Sequence, residues 1–172
     1  MKRILPILTL LLGLAFAQVP AYPENTAGLG FTVGKGLTVQ AGVNLPLLGF
    51  DTGVDVELNP LAPGGFEFWS LSRLNLIPAL VVGDLSMSVG AGIDVRYAAK
   101  NGATAPSFGA HLGPTATLEL PGSALSAYVG LGFQDGFSLA YGLGFRLYLD
   151  PLALELALTD RYWLKLSALY LW

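Results

Sequence analysis

The chain has no cysteine, a single histidine and two methionines. Without a thiol it forms neither a disulfide framework nor a thiolate metal site. Charge is also scarce: Asp, Glu, Lys and Arg make up 12% of the residues, well below the share in ordinary soluble domains. There is no run of Lys or Arg and the formal net charge is -3, so the electrostatic footprint of a nucleic-acid-binding protein is missing. Helix signals are missing after the first seventeen residues. What the chain has in quantity is apolar side chains, 53%, and 22 glycines. A charged surface is therefore not what keeps this chain in place.

At 172 residues the chain is long enough for one domain with a full core. It opens with "MKRILPILTLLLGLAFA", in which Lys2 and Arg3 precede an apolar stretch from Ile4 to Phe16 and the small-x-small sequence Ala15-Phe16-Ala17. This reads as a secretory signal peptide over 1–17, cleaved before Gln18, with the mature domain over 18–172. The apolar stretch is shorter than the ~20 residues of a spanning helix. Export would permit disulfides, and the chain has no Cys with which to form them.

From Gly28 onward the dominant period is two. In "LSMSVGAGIDVRY", Leu85, Met87, Val89, Ala91, Ile93, Val95 and Tyr97 alternate with Ser86, Ser88, Gly90, Gly92, Asp94 and Arg96. Such alternation is a strand with one apolar face and one polar or small face. The pattern predicts ten strands, at 28–34, 37–45, 50–58, 66–82, 85–97, 107–120, 124–133, 137–149, 152–159 and 163–172. Ile77-Pro78 is a break point in the fourth, and eight strands remain an option if the first hairpin stays outside a closed sheet. Joins such as "GKG", "GD", "QDG" and "DP" favour antiparallel hairpins. The fold class is all-β, an up-and-down meander closing into a barrel.

Alternate joins (PLLG, GD, GS, DP) are short, while NPLAPGG and AAKNGATAP, the latter over 98–106, read as long loops at the opposite end. Aromatic residues follow the same division. Phe66, Phe68, Trp69, Tyr97, Phe108, Phe133, Phe137, Tyr162 and Trp163 fall beside the long joins; Phe50, Tyr148, Tyr170 and Trp172 fall toward the short ones. Two interfacial girdles account for this division. With the apolar face inward, water would meet Ser86, Ser88, Gly90, Gly92 and hardly a charge, unlike a soluble surface. The expectation is a transmembrane barrel with its apolar face on lipid.

Turn geometry then sets registers. A two-residue "GD" turn puts Arg73 opposite Asp94 and Glu67 opposite Lys100; a two-residue "DP" turn puts Arg146 opposite Glu155. These are opposite-charge pairs on the lumen face, where uncompensated charge would be costly. A three-residue "QDG" loop puts Tyr128 opposite Gly142, a lumen ring covering a glycine backbone as in aromatic rescue.

The final stretch, "WLKLSALYLW", places Leu164, Leu166, Ala168, Tyr170 and Trp172 on one face. With the leader and the meander, it makes the chain similar to small bacterial outer-membrane β-barrel proteins, a resemblance that spans nearly all 172 residues. Members of that class typically end in an alternating strand with a terminal aromatic, more often Phe than Trp, which the barrel-assembly machinery recognises. The resemblance thus implies an outer-membrane location, a bilayer and assembly machinery as partners, and Leu164, Leu166, Ala168, Tyr170 and Trp172 as the assembly signal. It names an architecture rather than an activity.

Residues with catalytic potential are few. His111 in "FGAHLGP" falls on the polar face, but outer-membrane lipid A deacylases carry a Ser two residues after their catalytic His, and Gly113 stands there. Asp94 approaches His111 only if the 98–106 segment sets a favourable register. Asp51, Asp55 and Glu57 share a face of the third strand, as a network with Arg73 or a negatively lined wall. "GLGF" occurs three times inside alternating strands with no helix following, which is not a nucleotide-binding context. The expectation is a non-enzymatic barrel without cofactor or metal, in a structural, adhesive or narrow-pore role. Two alternatives stay open: an exported soluble barrel binding an apolar ligand, and a lipid-modifying enzyme centred on His111.

Overall fold

The computed structural model describes residues 24–44, 51–63, 65–75, 80–100, 103–133, 136–160 and 162–172. The leader over 1–17 and its cleavage site lie outside the described residues. The strands are β1 (Thr26–Thr32), β2 (Gly36–Asn44), β3 (Asp51–Asn59), β4 (Gly65–Asn75), β5 (Leu80–Val82), β6 (Leu85–Lys100), β7 (Ala103–Leu120), β8 (Ser123–Phe133), β9 (Phe137–Tyr148), β10 (Leu152–Thr159) and β11 (Tyr162–Leu171). Apart from β4 and β5, neighbours in sequence pair antiparallel, β1 pairs with β11, and β4 pairs with β6. The short β5 lies against β6 beyond the end of β4, so the two share one position in the ring. The result is a closed antiparallel barrel of ten staves, and the eight-strand option drops.

The alternation in sequence becomes an alternation of environment. Along β9, Leu139, Tyr141, Leu143 and Phe145 are exposed while Ala140, Gly142, Gly144 and Arg146 are buried. Along β11, Leu166, Ala168 and Tyr170 are exposed while Lys165, Ser167 and Leu169 are buried. Buried positions elsewhere include Thr32, Thr38, Glu57, Asn59, Glu67, Asp94, His111, Thr115, Thr117 and Glu155. The barrel is thus polar within and apolar without, the reverse of a water-soluble core.

The two rims do not differ in loop length as the sequence suggested. Lys100 pairs with Ala103, so 98–106 is not a long loop: only Asn101 and Gly102 separate β6 from β7. Asn-Gly is the strongest short hairpin signal, and a two-residue join is what it favours. The asymmetry lies instead in strand length. β6 and β7 run for 16 and 18 residues, β1 for 7, so the β6–β7 hairpin rises on what is here called the upper rim. The lower rim carries the start of β1 and Trp172.

The fourth predicted strand is interrupted as well. Val82 pairs with Leu85 and Leu80 with Met87, the two-residue turn expected of Gly83-Asp84, where Gly83 takes a φ of 62°. Above it, Asn75 pairs with Gly90. Between these two pairings the chain has four residues on one side, 76–79, and two on the other, Ser88 and Val89. Pro78 lies in this interval and has no N–H to give to a ladder. A shift of two keeps every side chain on its face but changes its partner. Consequently Arg73 stands across from Gly92 rather than Asp94, and Glu67 across from Ala98 rather than Lys100. The side chains of Arg73 and Lys100 lie outside the described set.

A second irregularity falls between β10 and β11, where the register shifts between Ala157 and Thr159. The extra residue of this bulge lets Tyr162 and Lys165 both reach the interior while Trp163 between them points outward, 73% exposed.

Candidate functional site

Among the described residues, the chemistry-bearing side chains gather inside the barrel. The wall formed by β6 to β9 carries a buried His–Asp pair. Nε2 of His111 lies 2.7 Å from Oδ1 of Asp94, both side chains being almost fully buried. Their ladder partners are glycines, Gly92 opposite His111 and Gly109 opposite Asp94. A β-carbon on Gly109 would run into the Asp94 carboxylate, so the glycine makes room for the pair. Next to this pair, Tyr128 stands across from Gly142 and is 2% exposed, with its hydroxyl against Gly130. Bulky lumen side chains and glycines thus interlock.

Mainly along β1 to β4, β10 and β11, with Arg96 of β6 and Arg146 of β9, the described residues line two interior cavities. The lower one is bounded by Glu24, Arg146 and Glu155. Arg146 donates from Nη2 to Oε2 of Glu155 at 2.7 Å and from Nη1 to Oε2 of Glu24 at 3.1 Å. Tyr148 donates its hydroxyl to Oε1 of Glu24 at 3.3 Å. The upper cavity is bounded by Lys35, Glu67 and Arg96; Nζ of Lys35 lies 3.1 Å from the Glu67 carboxylate, which also accepts from Nε of Arg96. Asn59 beside it donates from Nδ2 to Oγ1 of Thr38 at 2.6 Å.

Glu57, Trp69 and Tyr162 line both cavities. At this level Nζ of Lys165 is bonded to the Glu57 carboxylate and lies 5.1 Å from the centre of the Tyr162 ring. An ion pair and two aromatic rings therefore form a septum between the cavities. Buried ion pairs of this kind recover their desolvation cost only when well matched, and losing one partner costs several kcal/mol.

Of the residues singled out from sequence, Arg146 and Glu155 meet across the β9–β10 ladder, and Tyr128 meets Gly142. Glu67 is buried and held by Lys35 and Arg96, and Asp94 is buried against His111, the approach that a favourable β6–β7 register allows. Glu57 pairs with Lys165 rather than within its own wall. Asp55 also lines the lower cavity, and the Asp51 side chain lies outside the described set. Leu164, Leu166, Ala168 and Tyr170 lie on the outward face of β11, which closes the ring against β1 from Thr26–Leu171 to Thr32–Lys165. The Trp172 N–H donates to the Asn25 carbonyl at 3.2 Å, and its ring stacks on Tyr170 at 6.3 Å. Trp69, Tyr148 and Tyr162 leave the expected girdles, since they serve the interior.

Sequence reasoning missed Glu24, Lys35, Arg96 and the Glu57–Lys165 contact. The last spans 108 positions, and only closure of the barrel brings its partners together. No group of three or more His, Asp or Glu side chains able to hold a metal occurs among the described residues. Comparisons with protein-family models, curated proteins and solved structures find no match.

Proposed function

We propose that this protein is an integral outer-membrane β-barrel with a structural role, its polar interior sealed by ion pairs. The observation that carries the reading is the inverted environment: Leu, Val, Phe and Tyr outside a closed sheet, and Glu, Asp, Lys, Arg and His inside. A hydrocarbon solvent rewards that distribution and requires every backbone group to be paired, as a closed barrel achieves. Trp163 and Trp172 mark the ends of the outward face of β11. The strand between them covers ~30 Å, or ~23 Å of membrane height at a tilt of ~40°. That matches the apolar band of outer-membrane barrels.

Other readings find less support. Both interior cavities are edged by charged side chains, a poor environment for an apolar ligand. His111 is buried against Asp94 and borders neither cavity, so we assign it a packing role rather than catalysis. The outer membrane, its bilayer and its assembly machinery are the partners this reading requires. The direct test is flotation of refolded protein with liposomes in a density gradient, alongside fractionation of the producing cells. Recovery in the soluble periplasmic or secreted fraction would overturn the proposal.

A further inference from the structure

We infer that the two interior cavities are halves of one path for small monovalent cations, held shut at the septum by the Glu57–Lys165 pair. The inference rests on the membrane reading above and adds a transport capacity to it.

Continuity is the first support. The cavities do not lie at unrelated places in the wall: Glu57, Trp69 and Tyr162 belong to both. One extends toward Glu24 near the lower rim, the other toward Lys35 and Asp160 near the upper rim. Lys165 lines the lower cavity, and its Nζ is bonded to Glu57, which lines both. Lys165 enters from β11 and Glu57 from β3, so their contact bridges the lumen between non-adjacent strands.

Charge sets the class of solute. The lower cavity carries Glu24, Asp55, Glu57 and Glu155 against Arg146 and Lys165. The upper carries Glu57, Glu67 and Asp160 against Lys35 and Arg96. Among the described residues the carboxylates outnumber the cations in both, a lining that attracts cations and repels anions at close quarters. A multivalent cation would need several convergent carboxylates, and no such group occurs among the described residues. Small monovalent ions are the class that remains. Lys165 is the barrier, since its positive charge sits where such an ion must pass.

The test is single-channel recording of purified protein in planar bilayers under a KCl gradient. Wild type is expected to remain closed for most of the record. Lys165→Met, which removes the ammonium and leaves the carboxylates, should raise potassium conductance about tenfold, the change that ~1.4 kcal/mol of barrier produces, with a cation-selective reversal potential. Glu57→Gln, which keeps the ammonium in place, should conduct no better than wild type. If Lys165→Met does not fold, the double variant Glu57→Gln/Lys165→Met removes both charges together and should still conduct above wild type, with weaker cation preference. A variant lacking Lys165 that floats with liposomes and conducts no more than wild type overturns the path while leaving the membrane reading intact. Anion-selective current overturns it too. Protein that does not float overturns the membrane reading, and the path with it.

Discussion

Asp94 sits across the β6–β7 ladder from Gly109, and its carboxylate, turned toward His111, occupies the space that a β-carbon at 109 would need. Ala in place of Gly within a strand ordinarily helps, because Gly loses more chain entropy on folding. Here the sign reverses. Gly109→Ala should push the carboxylate off His111 and destabilise the barrel by ~1–3 kcal/mol, the cost of a buried polar group deprived of its partner. Urea unfolding from liposomes, followed by tryptophan fluorescence, would measure it.

Arg146 serves two carboxylates, Glu155 and Glu24. Arg146→Met should cost ~3–5 kcal/mol, because Glu155 is left charged and buried. The double variant Arg146→Met/Glu155→Leu should recover most of that loss, since replacing both members of a buried pair is often tolerated. A double-mutant cycle on unfolding free energy gives the coupling directly.

Tyr128 is the largest of the almost fully buried side chains. Tyr128→Ala should cost ~3–5 kcal/mol as a large-to-small change whose cavity the rigid sheet cannot collapse to fill. Gly130→Ala should destabilise as well, because its new methyl meets the Leu112 carbonyl on the neighbouring strand. Both are read from the same unfolding curves.

Leu143 is an outward residue of β9, half exposed. Facing hydrocarbon, Leu143→Arg should cost ~2–4 kcal/mol near the bilayer midplane. On a water-facing surface the same change would fall within about 0.5 kcal/mol. Comparing unfolding from liposomes for Leu143→Arg and Leu143→Ala decides between these environments.

The β6–β7 ladder ends at the Lys100–Ala103 pair on the rim opposite Trp172, and the sequence between the two is Asn101-Gly102. An epitope inserted between these two residues should leave folded yield unchanged, as rim turns generally tolerate insertion. It should also be reached by antibody on intact cells if this rim faces outward. Labelling seen only after lysis would place this rim on the inner side.

Much of the barrel was legible because its signals are local. Side chains alternate with a period of two whatever the strand pairs with, so the polar face of β9 was readable from Ser138, Ala140, Gly142, Gly144 and Arg146 alone. Short turns transmit register across one hairpin, which is why Arg146 meets Glu155 and Tyr128 meets Gly142. The same method misplaced Arg73 and Glu67, where the register shifts by two across the interval containing Pro78. It also missed that Asn101-Gly102 continues two long strands into one hairpin.

The sequence by itself thus determined the strands, most hairpins and which side chains share a face, all properties of residues a few positions apart. Only the tertiary structure decided who meets whom across the lumen. Glu57 finds Lys165, and Glu67 finds Lys35, because ring closure and strand stagger bring together residues that no turn connects. The bulge beside Thr159 likewise sends Tyr162 inward and Trp163 outward, breaking the period of two at the very level where the septum forms.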